Sequence, residues 1–227
     1  MAKDPRPAGR KKRENPATTT AGEPRDGDAR SQILDAAARI FASRGFDGAS
    51  LLQIAGEAGQ TQSLIHYYFQ SKDVLWQACA QYLFDRMRAF IVGTANAAQD
   101  LKPIDRLKLL TRGLIELTIK FPEAGLVLLN ETRQAGPRLD WLVENYLRDF
   151  QLAIDKLIEE AVEAGDLRIV DTISFSNIIM ASVTQVAVCK PLYESIYRTT
   201  FSERQLVQKH ADQVVAMLFG GVIRTDA

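Results

Sequence analysis

Cysteine and histidine are scarce in this chain, two of each among 227 residues. Cys79 and Cys189 stand far apart in apolar stretches, with no CxxC pair and no histidine at ligand spacing. That excludes a disulfide framework and a zinc module, and it suits packing residues in a reducing compartment. His66 and His210 have no cysteine or carboxylate at triad or metal spacing, so no catalytic residue, metal site or cofactor is expected. No glycine loop matches a phosphate cradle, and carboxylates such as Glu159, Glu160 and Glu163 read as a solvated helix face rather than an acid/base pair. An excess of one charge sign is also missing, with 28 basic against 28 acidic side chains. Net charge therefore says little about the field at any one face, because salt screens charges beyond about 8 to 10 Å. No apolar run reaches the roughly 18 to 20 residues of a membrane span, and the opening segment lacks a signal-peptide apolar core. A cytoplasmic protein without a membrane partner is expected.

What is present is helical periodicity, and 46% hydrophobic residues suffice for a sizeable core. Residues 1–28 are rich in Pro, Gly, Thr, Arg and Asp and nearly free of large apolar side chains, so they form a disordered basic arm. Lys3, Arg6, Arg10, Lys11, Lys12 and Arg13 outnumber Asp4 and Glu14 there. The arm is read either as a phosphate or minor-groove contact or as a solvated tail.

The most informative stretch is Ser50 to Lys72, SLLQIAGEAGQTQSLIHYYFQSK. Leu51, Ile54, Ala55 and Ala58 fall on one helical face, and Ala55 is small enough for a close crossing. Gly59 suits a helix-ending position of positive φ, and Thr61 suits the N-cap of a second helix over 62–69. In that helix Ile65 and Phe69 are buried, leaving Gln62, Ser63, His66 and Tyr67 outward as base-contact residues of a helix-turn-helix. A preceding helix buries Ile33, Leu34, Ala37, Ile40 and Phe41, closing at Gly45 and Phe46. Residues 29–72 are thus a three-helix DNA-binding domain.

These residues resemble the TetR family of bacterial transcription regulators. The resemblance runs from RSQILDAAARIFASRG at Arg30–Gly45 through Phe46, Ser50, the Ile54–Ala55 and Ala58–Gly59 pairs and Tyr67–Phe69 to Ser71, Lys72 and Leu75. Gln60 and Leu64 depart from the family pattern, which commonly has an apolar residue at the first position and a small polar one at the second. Lys72 and Ser50, at helix starts flanking the reader, and Tyr68 are expected on phosphates, the resemblance placing the family's lysine contact at Lys72.

Residues 73–227 are read as a helical effector-binding and dimerisation domain, for an all-α protein of nine or so helices. Ser71 caps a fourth helix with Val74, Leu75, Ala78, Tyr82 and Met87 as its apolar row. Later helices run from Pro103 to Lys120, from Pro122 to Gln134, unbroken from Pro137 to Ala164, from Asp171 or Thr172 to about Cys189 with Pro191 beyond, and onward from Ser202. Ile178 to Cys189 is apolar almost all round and must be covered on more than one side. Ile178, Ser182, Val186, Val214 and Leu218 are expected at a homodimer interface, the arrangement that the resemblance also implies; the alternative is a central buried helix in a monomer. The resemblance further implies a cavity for a small organic effector. Its candidate lining is Asn130, Arg133, Asn177 and Gln185, polar tips amid apolar helix, with aromatic walls from Phe121, Trp141, Tyr146, Phe150 and Phe175. The expected function is a dimeric repressor that binds a palindromic operator in double-stranded DNA and is released by the effector. A ligand-independent DNA-binding protein and a helical interaction module or enzyme are the alternatives.

Overall fold

A computed structural model describes residues 26–168, 171–200 and 204–220. Among these residues the protein is ten α-helices and a short π-helical turn, with no strand. The helices are α1 (Asp26–Gly48), α2 (Leu51–Ala58), α3 (Gln62–Phe69), α4 (Lys72–Ala97), α5 (Pro103–Lys120), α6 (Glu123–Thr132), α7 (Pro137–Leu142), α8 (Arg148–Glu163), α9 (Thr172–Tyr197) and α10 (Arg204–Gly220). The basic segment of the arm and Ser202 lie outside the described residues, and α1 begins two residues before the arm was expected to end.

The local signals of the DNA-binding segment operate as their chemistry requires. Ser50 and Gln53 form a reciprocal capping box: the Gln53 amide donates to Ser50 Oγ at 3.2 Å, and the Ser50 amide donates to Gln53 Oε1 at 3.0 Å. Gly59 ends α2 at φ 64°, Thr61 Oγ1 accepts from the Leu64 amide, and Ser71 Oγ accepts from the Val74 amide. Gly45, at φ 68° and ψ 178°, kinks the end of α1 so that Phe46 turns back into the core.

Two apolar cores result. The first joins α1, α2 and α3 to the first half of α4, and it recruits Ala124, Val127 and Leu142 from beyond residue 73. The buried row of α4 is Leu75, Trp76, Cys79, Leu83 and Phe84, whereas Val74 is 44% exposed, so the face lies about one residue round from the expected one. The second core gathers α5, α8, α9 and α10 around Leu114, Ile115, Ile158, Ile179 and Ala211. The Thr118 hydroxyl there donates to the Val183 carbonyl at 3.0 Å and ties α5 to α9. Gly113 permits the crossing of α4 and α5, since a Cβ on it would meet the Phe90 ring at 2.5 Å.

Three expectations about the later helices are corrected. The helix expected to run unbroken from Pro137 to Ala164 is interrupted by a π turn at Val143–Leu147. Trp141 and Tyr146 pack at 5.7 Å across it, and the extra residue lets both rings face the first core. Helix α9 does not stop before Pro191 but continues to Tyr197. Proline removes one backbone donor there, and the flanking turns still close. With 26 residues and an 18-residue window of mean hydropathy 1.5, α9 is long and apolar enough by composition to cross a membrane, contrary to the sequence expectation. Its Phe175, Ile179, Val183 and Val186 are nevertheless buried in the second core.

Candidate nucleic-acid interface and effector cavity

Burial divides α3 cleanly. Ile65 and Phe69 are each 1% exposed, while Gln62, Ser63, His66 and Tyr67 form the exposed row, Tyr67 at 73%. Arg30 covers the edge of this packing, with its guanidinium 5.4 Å from the Phe69 ring centre. The Gln70 carbonyl lies 3.3 Å from His66 Nδ1, and a carbonyl only accepts, so Nδ1 carries the proton. Nε2 faces the Gln62 amide nitrogen at 3.5 Å. Replacing Gln62 by Ala is expected to cost about 1 to 3 kcal/mol on the cognate duplex and far less on random DNA, measured by titration of both.

The flanking residues are placed differently. Ser50 is exposed, with its oxygen engaged in the cap, and Tyr68 is half-buried against Tyr67 at 5.2 Å. Lys72 holds its ammonium 4.4 Å from the centre of the Phe46 ring. The stem is therefore half-buried and the charge sits at the margin of the reader. Lys72→Ala is expected to lower the slope of log affinity against log salt by about one. The departures from the family pattern also find partners: Gln60 donates to Gln32 at 2.8 Å, and Leu64 packs on the first core.

A cavity of about 910 Å³ opens between α4, α5, α6, the π turn, α8 and α9. Of the expected lining residues, Tyr146, Phe150 and Asn177 are in its wall. Six expected lining residues are not, for separate reasons. Asn130 donates to the Phe41 and Ala42 carbonyls, both at 3.1 Å, and Arg133 is exposed at the end of α6. Trp141 meets Trp76 edge-on at 5.9 Å, Phe121 lies under the Arg86 guanidinium at 4.3 Å, and Phe175 packs against Phe219 at 5.9 Å. Gln185 reaches the Cys189 sulfur at 3.2 Å and faces a different hollow.

The sequence reading missed the contribution of α4 to this wall: Phe84, Met87, Arg88 and Ile91. The signal was the apolar row of α4 continuing past the length that the DNA-binding core can cover. The Tyr146 phenol stands beside Phe84, and burial raises its pKa, helped by Asp85 and opposed by Arg88. Thr118, Thr184 and Gln151 spend their polar atoms on neighbouring protein groups, which leaves the inner wall largely apolar.

At the expected dimer face, Ile178 is 52% exposed, and Ser182, Val214 and Leu218 are half-buried. Val186 is 6% exposed and packs in the second core of its own protomer, and it also lines a hollow on this face beside Ser182 and Val214. Helical spacing accounts for its burial: Val186 is three residues on from Val183 and seven on from Ile179, both buried. Leu192, Ile196, Tyr197 and Met217 add exposed apolar surface on the two helices. A hollow of about 340 Å³ on this face holds His210, whose enclosed Nε2 has no hydrogen-bond partner among the described residues; burial lowers its pKa. Cys79 is buried, which pushes its thiol up to about 12 and leaves it unreactive at neutral pH.

Two family models match this sequence. Residues 33–79 fit that of bacterial regulatory proteins, tetR family, and residues 100–188 fit a tetracyclin repressor-like C-terminal domain. The chain belongs to the TetR family. As a TetR-family protein it is a DNA-binding transcription regulator that acts as a dimer. The HTH-type transcriptional regulator RutR of Escherichia coli K12 is 26% identical over 193 residues, 84% of this chain and 88% of RutR. The fold is similar to AibR in complex with isovaleryl coenzyme A and operator DNA, with a TM-score of 0.69, 22% identity and coverage of 84% of this chain and 98% of AibR. It is also similar to FadR from Bacillus subtilis in complex with stearoyl-CoA, with a TM-score of 0.63, 18% identity and coverage of 84% and 98%.

Proposed function

We propose that this protein is a cytoplasmic repressor, without an enzymatic role, that leaves its operator when an apolar-bodied organic molecule enters the 910 Å³ cavity. Residues 29–72 read DNA, and residues 73–227 bind effector and dimerise. In this reading Gln62, Ser63, His66 and Tyr67 contact base edges, and Ser50, Tyr68 and Lys72 hold phosphates. The observation that carries it is the coexistence of a capped, outward-facing reader helix and a large apolar-walled cavity, joined through α4. The volume suits a ligand of drug size or larger. The acyl-CoA thioesters held by AibR and FadR support an acyl-bearing effector.

A dimer places two short reader helices on half-sites about 34 to 36 Å apart, so a palindromic operator is expected. The test begins with selection of a duplex from a random library, followed by titration with short- and long-chain acyl-CoA. A true effector raises thermal stability and weakens operator binding, with a reciprocal coupling of about 1 to 3 kcal/mol. A ligand that stabilises the protein and leaves DNA affinity unchanged would overturn the effector reading. Failure of the wild-type protein to select any duplex would overturn the operator reading.

A further inference from the structure

The segment between α6 and the π turn has both ends in the cavity wall and its middle against the DNA-binding module. Leu128, Leu129 and Thr132 line the cavity before it, and Val143 and Tyr146 line it after. Between them Arg138 of α7 leaves its own domain. Its Nε donates to Glu131 Oε2 at 2.9 Å, and the Glu131 carboxylate is only 8% exposed. The guanidinium lies 3.9 Å from the centre of the Phe46 ring. Phe46 also carries the Lys72 ammonium at 4.4 Å, stacks on Phe41, and accepts from the Ala49 amide just before the cap of α2. The Phe46 ring thus meets Phe41 of α1, the start of α4 and one cation from the effector domain, while the backbone carbonyl of the same residue holds the approach to α2.

We propose that Arg138 is the positioning residue that couples the cavity to the DNA reader, holding Phe46 from an anchor on Glu131. A planar guanidinium suits both tasks, since one edge serves the carboxylate while the face lies on the ring. A ligand that displaces α6 or the π turn carries Glu131 or the backbone of α7 with it and moves this grip. Phe46 then shifts Lys72 and the approach to α2 together. Asn130, which neighbours Glu131 and donates to the Phe41 and Ala42 carbonyls of α1, gives α6 a second attachment to the module. The proposal rests on the regulator reading for its meaning, although the mechanical link can be measured without DNA.

Gly125 supplies a probe that needs no effector, because its Cβ direction meets nothing within 4 Å and it lines the cavity. Gly125→Phe places a ring in that space. Amide hydrogen exchange of the full chain is followed at residues 50–69, with residues 154–161 of α8 as control, together with affinity for a library-selected duplex. Gly125→Phe is expected to raise exchange at 50–69 at least threefold and weaken duplex binding at least tenfold. In an Arg138→Met background its further effect falls below twofold, and in Arg138→Lys part of it returns. The double variant Glu131→Gln/Arg138→Met removes the orphaned carboxylate, so it recovers thermal stability and stays uncoupled.

Equal effects of Gly125→Phe with and without Arg138 overturn the proposal, as does no effect on the wild type. So does a uniform rise in exchange that includes α8, or recovery of coupling in the double variant. If the wild type selects no duplex, the regulator reading fails while the exchange measurement still decides the role of Arg138.

Discussion

Ile178→Arg is expected to turn the dimer into monomers at micromolar concentration and to abolish tight operator binding. The side chain is 52% exposed within its protomer, so arginine there adds little cost to folding. In the dimer the same guanidinium would be desolvated without a partner, at a cost of several kcal/mol. Each 1.4 kcal/mol is tenfold in dissociation constant, so about 4 kcal/mol raises it roughly a thousandfold. Operator affinity falls with it because one short reader helix makes too few contacts alone. Sedimentation velocity and duplex titration, with circular dichroism as a folding control, measure the three consequences separately. Val186→Arg would answer a different question: that residue is 6% exposed in the second core, and arginine there is expected to unfold the protomer. An Ile178→Arg protein that sediments as a dimer would place the two-fold contact elsewhere.

The second large effect is expected at Trp76. It is 1% exposed, meets Trp141 edge-on at 5.9 Å and is approached by the Arg138 guanidinium at 5.9 Å. Trp76→Ala removes the largest fully buried side chain among the described residues and leaves a cavity where α4 of the reader core meets α7. The expected loss is about 3 to 5 kcal/mol, read from urea denaturation at fixed protein concentration. With about 2 to 4 °C per kcal/mol for a chain of this size, the melting temperature should fall by roughly 10 °C. A loss under about 1 kcal/mol would mean that the two domains do not share this core.

The DNA-binding module was legible because its determinants are local. Ser50, Thr61 and Ser71 cap the helices that follow them within three residues, and Gly59 takes its left-handed conformation whatever lies farther along the chain. The outward row of α3 follows from the same short-range logic: once Ile65 and Phe69 face inward, a period of 3.6 residues leaves Gln62, Ser63, His66 and Tyr67 outside. The cavity lining was not legible in this way. Asn130, Trp141 and Phe175 had the right chemistry for a pocket, but each is engaged by a residue at least 44 positions away. Val186 shows the same limit in α9, where an all-round apolar sequence has no polar face to mark which side is inward.

The sequence by itself determined the all-α class, the three-helix reader with its turn and caps, and the family. It also marked Ile178 as a residue with more apolar surface around it than one core can cover. Tertiary structure alone decided that α4 walls the cavity with Phe84, Met87, Arg88 and Ile91, that a π turn rather than a continuous helix brings Tyr146 to it, and that Arg138 crosses to Phe46. The physical reason is range. Capping and helical periodicity act over three or four residues and are written in the chain. The partner of a buried asparagine or guanidinium is whichever acceptor or ring the packed helices bring within reach, and that is set only when the two cores close.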